Sequence, residues 1–445
     1  MKKVLILGAG LVANPMVQYL LSKGYQLTIA SNTPERGETM LGGHPNGTNI
    51  NWSVDDLQTL DQMVMNHDLV VSLLPYVFHV TIAEHALKYK KNMVTTSYVK
   101  PEMQALDEDA KKANIIILNE IGLDPGIDHM SAMRIIDNIH AKGGKVKEFW
   151  SLCGALPAPE CANNPLKYKF SWSPKGVVLA GNNDACYLHK KEIVEIPTQD
   201  LFKNPRKLNF PEVGELEFYP NRDSISYIDV YGIKEVETIF RGTFRFKGWC
   251  ETIDLLKQLK LISNDSFDMT GMTYADLMAK QIGANSSDNI IEKTAAFLNL
   301  SKEDTALHSL EWLGLFDNTP MKRAMDTTFE VTSDAMISKM PLGMNERDMI
   351  VMRHTFLAEY PDGTSEVIHS SMLDFGSPAT DTSIARTVAL PAAIAAEMIL
   401  EGKILLKGVY RPVLPEIYNP VLDQLENMDI KMHEEYGLAL SENIQ

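Results

Sequence analysis

Short apolar runs alternate with amphipathic stretches along the first 120 residues of the chain. Each run holds four to seven residues, mostly aliphatic, which predicts a buried strand, and the stretches between the runs repeat apolar residues at helical spacing. Buried strands that alternate with helices are typical of a parallel sheet covered by helices on both faces. The predicted strands are 2–7, 25–30, 68–74, 93–96 and 115–118.

The pattern changes after residue 146, where strand-like segments separated by Pro, Asn and Gly indicate a mixed sheet. Residues 250–316 show helical periodicity without strand signals, and residues 347–375 return to strands around a Pro-Asp-Gly turn. An alanine-rich stretch at 383–400, followed by Gly402, predicts a long helix. The strand-like segments of the first part are 149–153, 176–179 and 191–196.

A glycine-rich turn joins the first strand to the first helix with the spacing G-x-G-x-x-A. Gly8 permits the tight turn, Gly10 lets the backbone approach a pyrophosphate, and the small Ala13 lets the helix pack on the strand. The N–H groups at the start of the helix would then face the phosphates. We predict a dinucleotide site that includes Gly8, Gly10, Leu11 and Val12; a ligand-free turn is the alternative.

The end of the second strand distinguishes the two nicotinamide dinucleotides. NAD-binding units usually place a carboxylate there to hold the ribose 2′-hydroxyl, whereas this chain has Ser31, Asn32 and Thr33, with Arg36 just beyond. A 2′-phosphate would meet hydroxyls, an amide and a guanidinium, which favours NADP, with NAD as the alternative. Leu74 and Ser97 follow later strands at the same edge and complete the predicted cofactor site.

These patterns together predict an α/β protein with an N-terminal Rossmann domain on a parallel sheet, a mixed-sheet α/β domain and an inserted small helical subdomain. The predicted bounds are 1–124 for the first, 125–249 with 317–382 for the second, and 250–316 for the third. Helices in 383–445 are expected to return to the Rossmann domain.

Composition narrows the function classes. The 445 residues carry 42 basic and 58 acidic side chains, a net charge of −16, which argues against non-specific binding to nucleic acid or anionic membranes. No uncharged apolar stretch is long enough to predict a membrane span. The four cysteines lack C-x-x-C or zinc spacing, which favours a reduced, cytoplasmic protein without a metal site.

Five later blocks of the chain stand out: 97–99, 119–129 with Asp-Pro-Gly-Ile-Asp-His, 151–174, 219–224 with Pro-Asn-Arg-Asp-Ser, and 241–249. Together they resemble the glutamate-forming saccharopine dehydrogenases, also called saccharopine reductases. The resemblance spans nearly the whole chain, and it implies a substrate domain that also dimerises. It further implies reversible NADP(H)-dependent hydride transfer between saccharopine and L-glutamate plus 2-aminoadipate 6-semialdehyde, in lysine metabolism. Asn32 stands where family members carry Arg, which bears on the NADP preference.

The substrate implied by this resemblance has three carboxylates and one secondary amine, so the site needs cations and a proton-transfer group. Arg222 is the first candidate for a carboxylate clamp, although a surface arginine is the plain alternative. Asp124 follows the last Rossmann strand and is predicted to hold the amine or move its proton; a simple Asx-turn is the alternative. Asp128 is predicted to cap the next helix, which leaves Asp124 free.

The remaining predicted substrate-binding residues lie in the same blocks. Tyr98 follows a strand at the same sheet edge, and Arg241 and Arg245 share one face of a strand by period-2 reasoning. Phe170 and Trp172 are predicted on one strand face as pocket walls. His129 is interpreted as structural. Cys153 and Gly154 are expected to line the junction between the domains.

Two other functions fit the same architecture. A carboxynorspermidine synthase-like imine reductase would act on a substrate with fewer carboxylates. A non-catalytic NADP(H) sensor would bind the cofactor and tolerate the loss of Asp124 and Arg222.

Overall fold

The structure is a computed structural model that describes residues 1–444 of the chain. Two sheets and the helices around them account for most of this length. The strands are β1 Lys3–Leu7, β2 Gln26–Ser31, β3 Gly47–Asn51, β4 Leu69–Ser72, β5 Asn92–Thr95, β6 Ile116–Leu118, β7 Lys145–Pro157, β8 Ala185–His189, β9 Glu192–Ile196, β10 Arg206–Phe210, β11 Gly214–Pro220, β12 Thr238–Arg245, β13 Ser266–Asp268, β14 Met325–Thr327, β15 Asp348–Glu359, β16 Ser365–Phe375, β17 Gly408–Tyr410 and β18 His433–Leu438.

The helices separate the strands in the first sheet and cover the second. They are α1 Asn14–Ser22, α2 Pro34–Leu41, α3 Leu57–Met65, α4 His79–Tyr89, α5 Pro101–Gln104, α6 Asp107–Ala113, α7 Ile127–Ala141, α8 Pro174–Ala180, α9 Tyr227–Tyr231, α10 Trp249–Gln258, α11 Tyr274–Gln281, α12 Ile290–Leu298, α13 Thr305–Trp312, α14 Thr328–Lys339, α15 Ser383–Leu400 and α16 Pro415–Glu426.

The first sheet has seven parallel strands in the order β17-β6-β5-β4-β1-β2-β3. Its central strands are fully buried, as their continuous apolar sequences predict. The chain runs from β1 to β2 on one side and then crosses to β4 on the other, so the strand order reverses beside β1. The crevice at the carboxyl ends of β1 and β4 is where ligands bind in such sheets.

The second sheet is mixed, with the main order β10-β11-β12-β7-β15-β16-β18, while β8 pairs with β12 and β9. Its central strand β7 runs parallel to β12 and antiparallel to β15. One face of the sheet meets α7 beneath the Rossmann sheet, and the other belongs to the core shared with the helices between 249 and 339. The predicted fold class is confirmed; the exact domain bounds stay a prediction.

The helix α15 has the bounds predicted for it and joins the two sheets. It packs on α1 and α16 and contacts β4, β5 and β15. Its buried Ala389, Ala392, Ala393 and Ala396 allow close approach of these neighbours. This helix is long and apolar enough to cross a membrane by length and composition, but 78% of it is buried inside the protein.

Some predicted elements differ from the structure. The segment 176–179, predicted as a strand, belongs to helix α8, which Pro174 begins in its first turn. The region 250–316, predicted without strands, contains β13, which pairs with β14. The C-terminal part contributes not only helices but also β17, which extends the parallel sheet beside β6.

Candidate active site

The loop between β6 and α7 shapes the candidate site. The chain reaches α7 through a cis Asp124-Pro125 peptide and through Gly126 at φ +148°. A Cβ atom on Gly126 would lie 2.0 Å from the carbonyl oxygen of Gly122, so only glycine fits there. This compact turn brings the side chains of Asp124 and Asp128 onto the same arginine.

Arg241, on β12, forms ion pairs with both aspartates through one nitrogen. Its Nη2 lies 2.7 Å from Oδ1 of Asp124 and 2.8 Å from Oδ2 of Asp128. The guanidinium is buried and stacks on the ring of Tyr227, with Cζ 4.2 Å from the ring centroid. One positive charge from the mixed sheet therefore balances two carboxylates from the Rossmann side.

Asp124 retains one unoccupied oxygen. Its Oδ1 accepts hydrogen bonds from Arg241 and from the hydroxyl of Tyr98, at 3.1 Å. Within residues 1–444 its Oδ2 has no hydrogen-bond partner, and the side chain is 19% exposed. The carboxylate is thus fixed on one side and open to a ligand on the other.

The pKa values of the two aspartates are shifted in opposite directions. Burial and the neighbouring Asp128 carboxylate raise the pKa of Asp124 above its ordinary value. Burial also disfavours ionised Asp128, but His129 and Arg241 hold the pKa of Asp128 below its ordinary value. Burial and the Asp124 carboxylate raise the pKa of Tyr98, so its hydroxyl stays protonated and donates. Asp128 is the permanent anion of the pair, and Asp124 is the one suited to exchange a proton.

Asp128 does not cap α7 as predicted. The N-cap residue is Gly126, and Asp128 lies one residue inside the helix. Its Oδ1 accepts the N–H of Gly126 at 2.6 Å, while its Oδ2 faces Arg241. The sequence gives no sign of this role because the arginine is 113 residues away.

A second buried network supports the loop from below. His129 contacts the Glu120 carboxylate through Nε2 at 2.9 Å and the hydroxyl of Tyr231 through Nδ1 at 2.7 Å. Glu120 also accepts from Nε of Arg411 and from the backbone N–H of Val99. These contacts are in keeping with the structural interpretation of His129, and they tie the Tyr98 loop to the Asp124 loop.

Arg222 is the exposed arginine of the site. It follows β11 at φ +54°, and its guanidinium lies 5.8 Å from the ring centroid of Tyr98. Among residues 1–444 no carboxylate forms an ion pair with it. Its charge is therefore available to an anionic ligand beside Asp124.

The cofactor edge lies at the carboxyl ends of β1, β2, β4 and β5. Gly8 has φ +106°, and a Cβ there would lie 3.1 Å from the carbonyl oxygen of Leu73. At Gly10 a Cβ would project into open space, which is the space a pyrophosphate needs in front of α1. Leu11 is exposed beside it, and Val12 is half-buried. This turn fits a dinucleotide.

The end of β2 fits the adenosine side of a dinucleotide. Ser31 is buried and accepts the N–H of Thr33 at its Oγ, while Asn32 and Arg36 are exposed. Within the described chain Arg36 has no ion-pair partner, so it is free to meet a phosphate. Leu74 is half-buried just beyond β4.

Comparison with known proteins assigns the family. The model of the saccharopine dehydrogenase NADP binding domain matches residues 4–118, and that of the saccharopine dehydrogenase C-terminal domain matches 122–430. The chain belongs to the saccharopine dehydrogenase family. Membership in this family confirms the resemblance found in the sequence, and it supports NADP as the dinucleotide.

Two fungal proteins are similar to this chain over nearly the whole length of both. The Schizosaccharomyces pombe protein named saccharopine dehydrogenase [NADP(+), L-glutamate-forming] is 37% identical over 98% of this chain and 99% of its own. The Saccharomyces cerevisiae protein of the same name is 36% identical over 99% of both. The structure of apo histidine-tagged saccharopine dehydrogenase (L-Glu forming) from Saccharomyces cerevisiae superposes with a TM-score of 0.88 at 34% identity. It covers 98% of this chain and all of that one.

A longer relative matches this chain over only part of its own length. The mitochondrial alpha-aminoadipic semialdehyde synthase of Bos taurus is 37% identical over 94% of this chain but only 46% of its own length. Neither the carboxynorspermidine synthase-like function nor the sensor function finds support among these relatives.

The other predicted residues of this family member lie in different surroundings. Cys153 is nearly buried on β7, and burial raises the pKa of its thiol, so it is no nucleophile. Gly154 follows it, and a Cβ there would meet Phe244 at 2.8 Å. Phe170 packs edge-on against Tyr168 in the core, whereas Trp172 contacts both large cores. Phe170 and Trp172 do not lie on a strand as predicted, because this segment makes only an isolated bridge at Phe170.

His79 is a residue of the cofactor edge that the sequence did not reveal. Its Nδ1 contacts the hydroxyl of Ser72 at 2.9 Å, and its Nε2 contacts that of Ser97 at 2.8 Å. Burial lowers the pKa of His79 to about 4, so it is neutral near pH 7. The available signal in the sequence was the position of His79. It is a polar side chain on the apolar face of a helix, seven residues after the serine that ends a strand.

Proposed function

We propose that this protein is a saccharopine dehydrogenase that interconverts saccharopine with L-glutamate and 2-aminoadipate 6-semialdehyde, using NADP(H). The observation that carries the proposal is the match over nearly the whole of both chains to proteins of that name. The arrangement of Asp124, Tyr98 and Arg222 supplies the chemistry that such a substrate requires.

The oxidative direction removes a hydride from the carbon beside the secondary amine and a proton from its nitrogen, which leaves an imine. Water then adds to the imine carbon, and the C–N bond breaks to give the aldehyde and the amino group of glutamate. Bound NADP supplies the hydride acceptor. The protein's tasks are to bind three carboxylates, orient the amine and accept its proton.

Asp124 accepts that proton at its open Oδ2. Its raised pKa brings it closer to the working pH than an ordinary aspartate, which favours proton exchange. The Tyr98 hydroxyl and Arg241 hold Oδ1, so the carboxylate keeps one orientation. After the proton arrives, Arg241 remains paired with Asp128, and no buried charge is left alone.

Arg222 binds a substrate carboxylate. Its guanidinium is exposed beside Tyr98 and pairs with no carboxylate of the described residues 1–444, and a planar fork suits a carboxylate well. Arg241 is less available, since its Nη2 already serves two aspartates. Cys153, Gly154, Phe170 and Trp172 are proposed to form the wall between the domains.

The test follows nicotinamide absorbance with purified protein and saccharopine, and with NADP and NAD in turn. We expect reduction of NADP, with Asp124→Asn lowering kcat by about 10²-fold or more, as for loss of a general base. Arg222→Ala should raise the KM for saccharopine at least about tenfold and leave the KM for NADP unchanged. Tyr98→Phe, which keeps the ring, serves as the milder matched variant.

The outcomes separate the competing functions. Turnover of carboxynorspermidine but not saccharopine would favour the other imine reductase. Cofactor binding without turnover of either substrate would identify a sensor. Arg36→Ala should weaken NADP far more than NAD if Arg36 takes the place of the arginine that Asn32 replaces.

We further propose a homodimer in the cytoplasm. The four cysteines are unpaired in residues 1–444, as expected in a reducing compartment. Light scattering coupled to size-exclusion chromatography tests the dimer, and cell fractionation tests the location; a monomer or a membrane-enclosed pool would refute them.

A further inference from the structure

A cavity lies on the opposite side of the mixed sheet from Asp124. It has a volume of about 470 Å³, and the segment after β18 closes one side of it. His354 faces α7 and contacts Ser131 there at 2.8 Å, so its neighbours Arg353 and Thr355 face away from the candidate active site. The cavity is therefore separate from the predicted substrate and cofactor sites.

Arg353 brings a positive charge into this cavity, and no carboxylate of residues 1–444 forms an ion pair with it. Its Nη1 donates to Oγ of Ser371 at 2.8 Å, and its Nη2 donates to Nδ1 of His369 at 2.6 Å. Its Nε is buried and has no hydrogen-bond partner among residues 1–444. A guanidinium cannot accept, so Nδ1 of His369 accepts, and its Nε2–H donates to the carbonyl oxygen of Glu442. His369 is thus neutral and adds no counter-charge.

Arg206 adds a second charge at the same cavity. Its guanidinium stacks on Trp150 at 4.7 Å and on Phe218 at 5.5 Å, and it is half-buried. Within residues 1–444 no carboxylate lies within 4.0 Å of the charged nitrogens of Arg206 or Arg353, although the Glu442 side chain is at the rim. The Thr355 hydroxyl, 1% exposed, also lines the cavity without a partner.

Such an arrangement is costly unless a ligand completes it. Partly buried charges are normally paired, and a buried hydroxyl is normally hydrogen-bonded. Within residues 1–444, Arg353 and Arg206 have no ion-pair partner, and Glu435 and Glu442 act on Arg353 only from farther away. In a chain of net charge −16, two such guanidinium groups at one cavity are therefore a specific feature and not a general surplus of positive charge. A cavity of this size holds a small organic molecule.

We propose that this cavity binds a small oxyanion, a carboxylate or a phosphate, held by Arg353 and Arg206 with a hydrogen bond from Thr355. Both oxyanions match the planar fork of a guanidinium. The proposal does not depend on the reaction assigned to the other face of the sheet.

The experiment measures the melting temperature of the NADP-saturated protein during titration with citrate, inorganic phosphate or chloride at equal ionic strength. Saturating NADP keeps the probes from the cofactor site. We expect saturable stabilisation by citrate, phosphate or both, and none by chloride. The more effective probe tells carboxylate from phosphate.

Variants locate the binding. Arg353→Met should weaken the effective anion at least about tenfold, a loss of about 1.4 kcal/mol, and Thr355→Val should weaken it several-fold. Lys207→Met is the matched control, because Lys207 is at the same rim but is exposed and paired with Glu215. The affinity of this variant for the effective anion should change less than about twofold. Stabilisation by neither oxyanion, or equal stabilisation of wild type, Arg353→Met and Thr355→Val, would overturn the proposal.

Discussion

Replacing Arg241 with methionine removes the one positive charge shared by two buried aspartates. Methionine preserves much of the volume and the contact with Tyr227, so the change is chiefly electrostatic. The carboxylates of Asp124 and Asp128, now 2.7 and 2.8 Å from that guanidinium, would lose their counter-charge together.

The expected cost is a fall of about 3–5 kcal/mol in the free energy of unfolding at pH 7, the usual penalty for leaving a buried charge unpaired. Most of it comes from Asp128, which is 1% exposed and would keep the Gly126 N–H and, at 3.5 Å, the ring of His129. Asp124 contributes less, because it is partly exposed and keeps the Tyr98 hydroxyl.

The sign of the pH dependence follows from the lowered pKa of Asp128. A carboxyl with a depressed folded-state pKa stabilises the fold above its unfolded value, about 3.9, and this stability is lost as the pH falls through the folded value. Arg241→Met removes the part of that contribution that Arg241 supplies, while His129 and the Gly126 N–H remain. The difference in the free energy of unfolding between wild type and variant should be largest at pH 7 and should shrink as the pH falls below about 4.

Urea unfolding at several pH values, without ligands, measures this difference. Arg245→Met is the matched control: Arg245 is on the same strand and equally buried, but its Nη1 donates to the carbonyl oxygen of Phe244. No carboxylate of residues 1–444 pairs with Arg245. The loss of unfolding free energy caused by Arg245→Met should therefore not depend on pH. A loss below about 1 kcal/mol for Arg241→Met, or one that is constant with pH, would refute the reasoning.

Two further perturbations test neighbouring groups. Burial lowers the pKa of His79 to about 4 from an ordinary 6.5, so unfolding takes up a proton at pH values between these two. The free energy of unfolding therefore falls as the pH drops from 6.5 to 4. His79→Gln should flatten this part of the curve measured by urea unfolding. Asp128→Asn removes a charge that raises the pKa of Asp124. The acid limb of the pH profile of kcat/KM for saccharopine should therefore move to lower pH. An acid limb that is unchanged or moves to higher pH would show that Asp124 is not the titrating group.

The inner strands of the parallel sheet were predictable because they are buried on both faces, whereas the edge strand β3, whose residues are half-buried or exposed, was not predicted. A strand of this kind needs an unbroken apolar run, so runs such as 115–118 locate the elements within a residue or two. Helix α15 was equally clear, since its alanines and the following Gly402 fix both its type and its end. The segment 176–179 failed because a run of four apolar residues satisfies either period, and Ser173-Pro174 was the stronger signal for a helix.

The sequence could suggest members of the candidate site, whose roles stay a prediction, but not how their side chains pair. Asp124, Tyr98 and Arg222 each follow a strand end, and the family blocks contain them. The contact between Asp124 and Arg241 joins positions 117 apart through the packing of two sheets, which no local pattern encodes. The same holds for Arg353 and Arg206, whose lack of an ion-pair partner within residues 1–444 becomes visible only in the folded structure.

The shared guanidinium explains how a buried aspartate can change its protonation state without a large penalty. If Arg241 served Asp124 alone, protonation of Asp124 would leave an unpaired cation in the core. If Asp128 were absent, the full attraction of Arg241 would hold Asp124 in its ionised form. With both aspartates present, Arg241 always retains one anionic partner, and the second carboxylate raises the pKa of Asp124. Since Arg241 is thereby committed to the protein's own carboxylates, the exposed Arg222 is the better partner for those of the substrate.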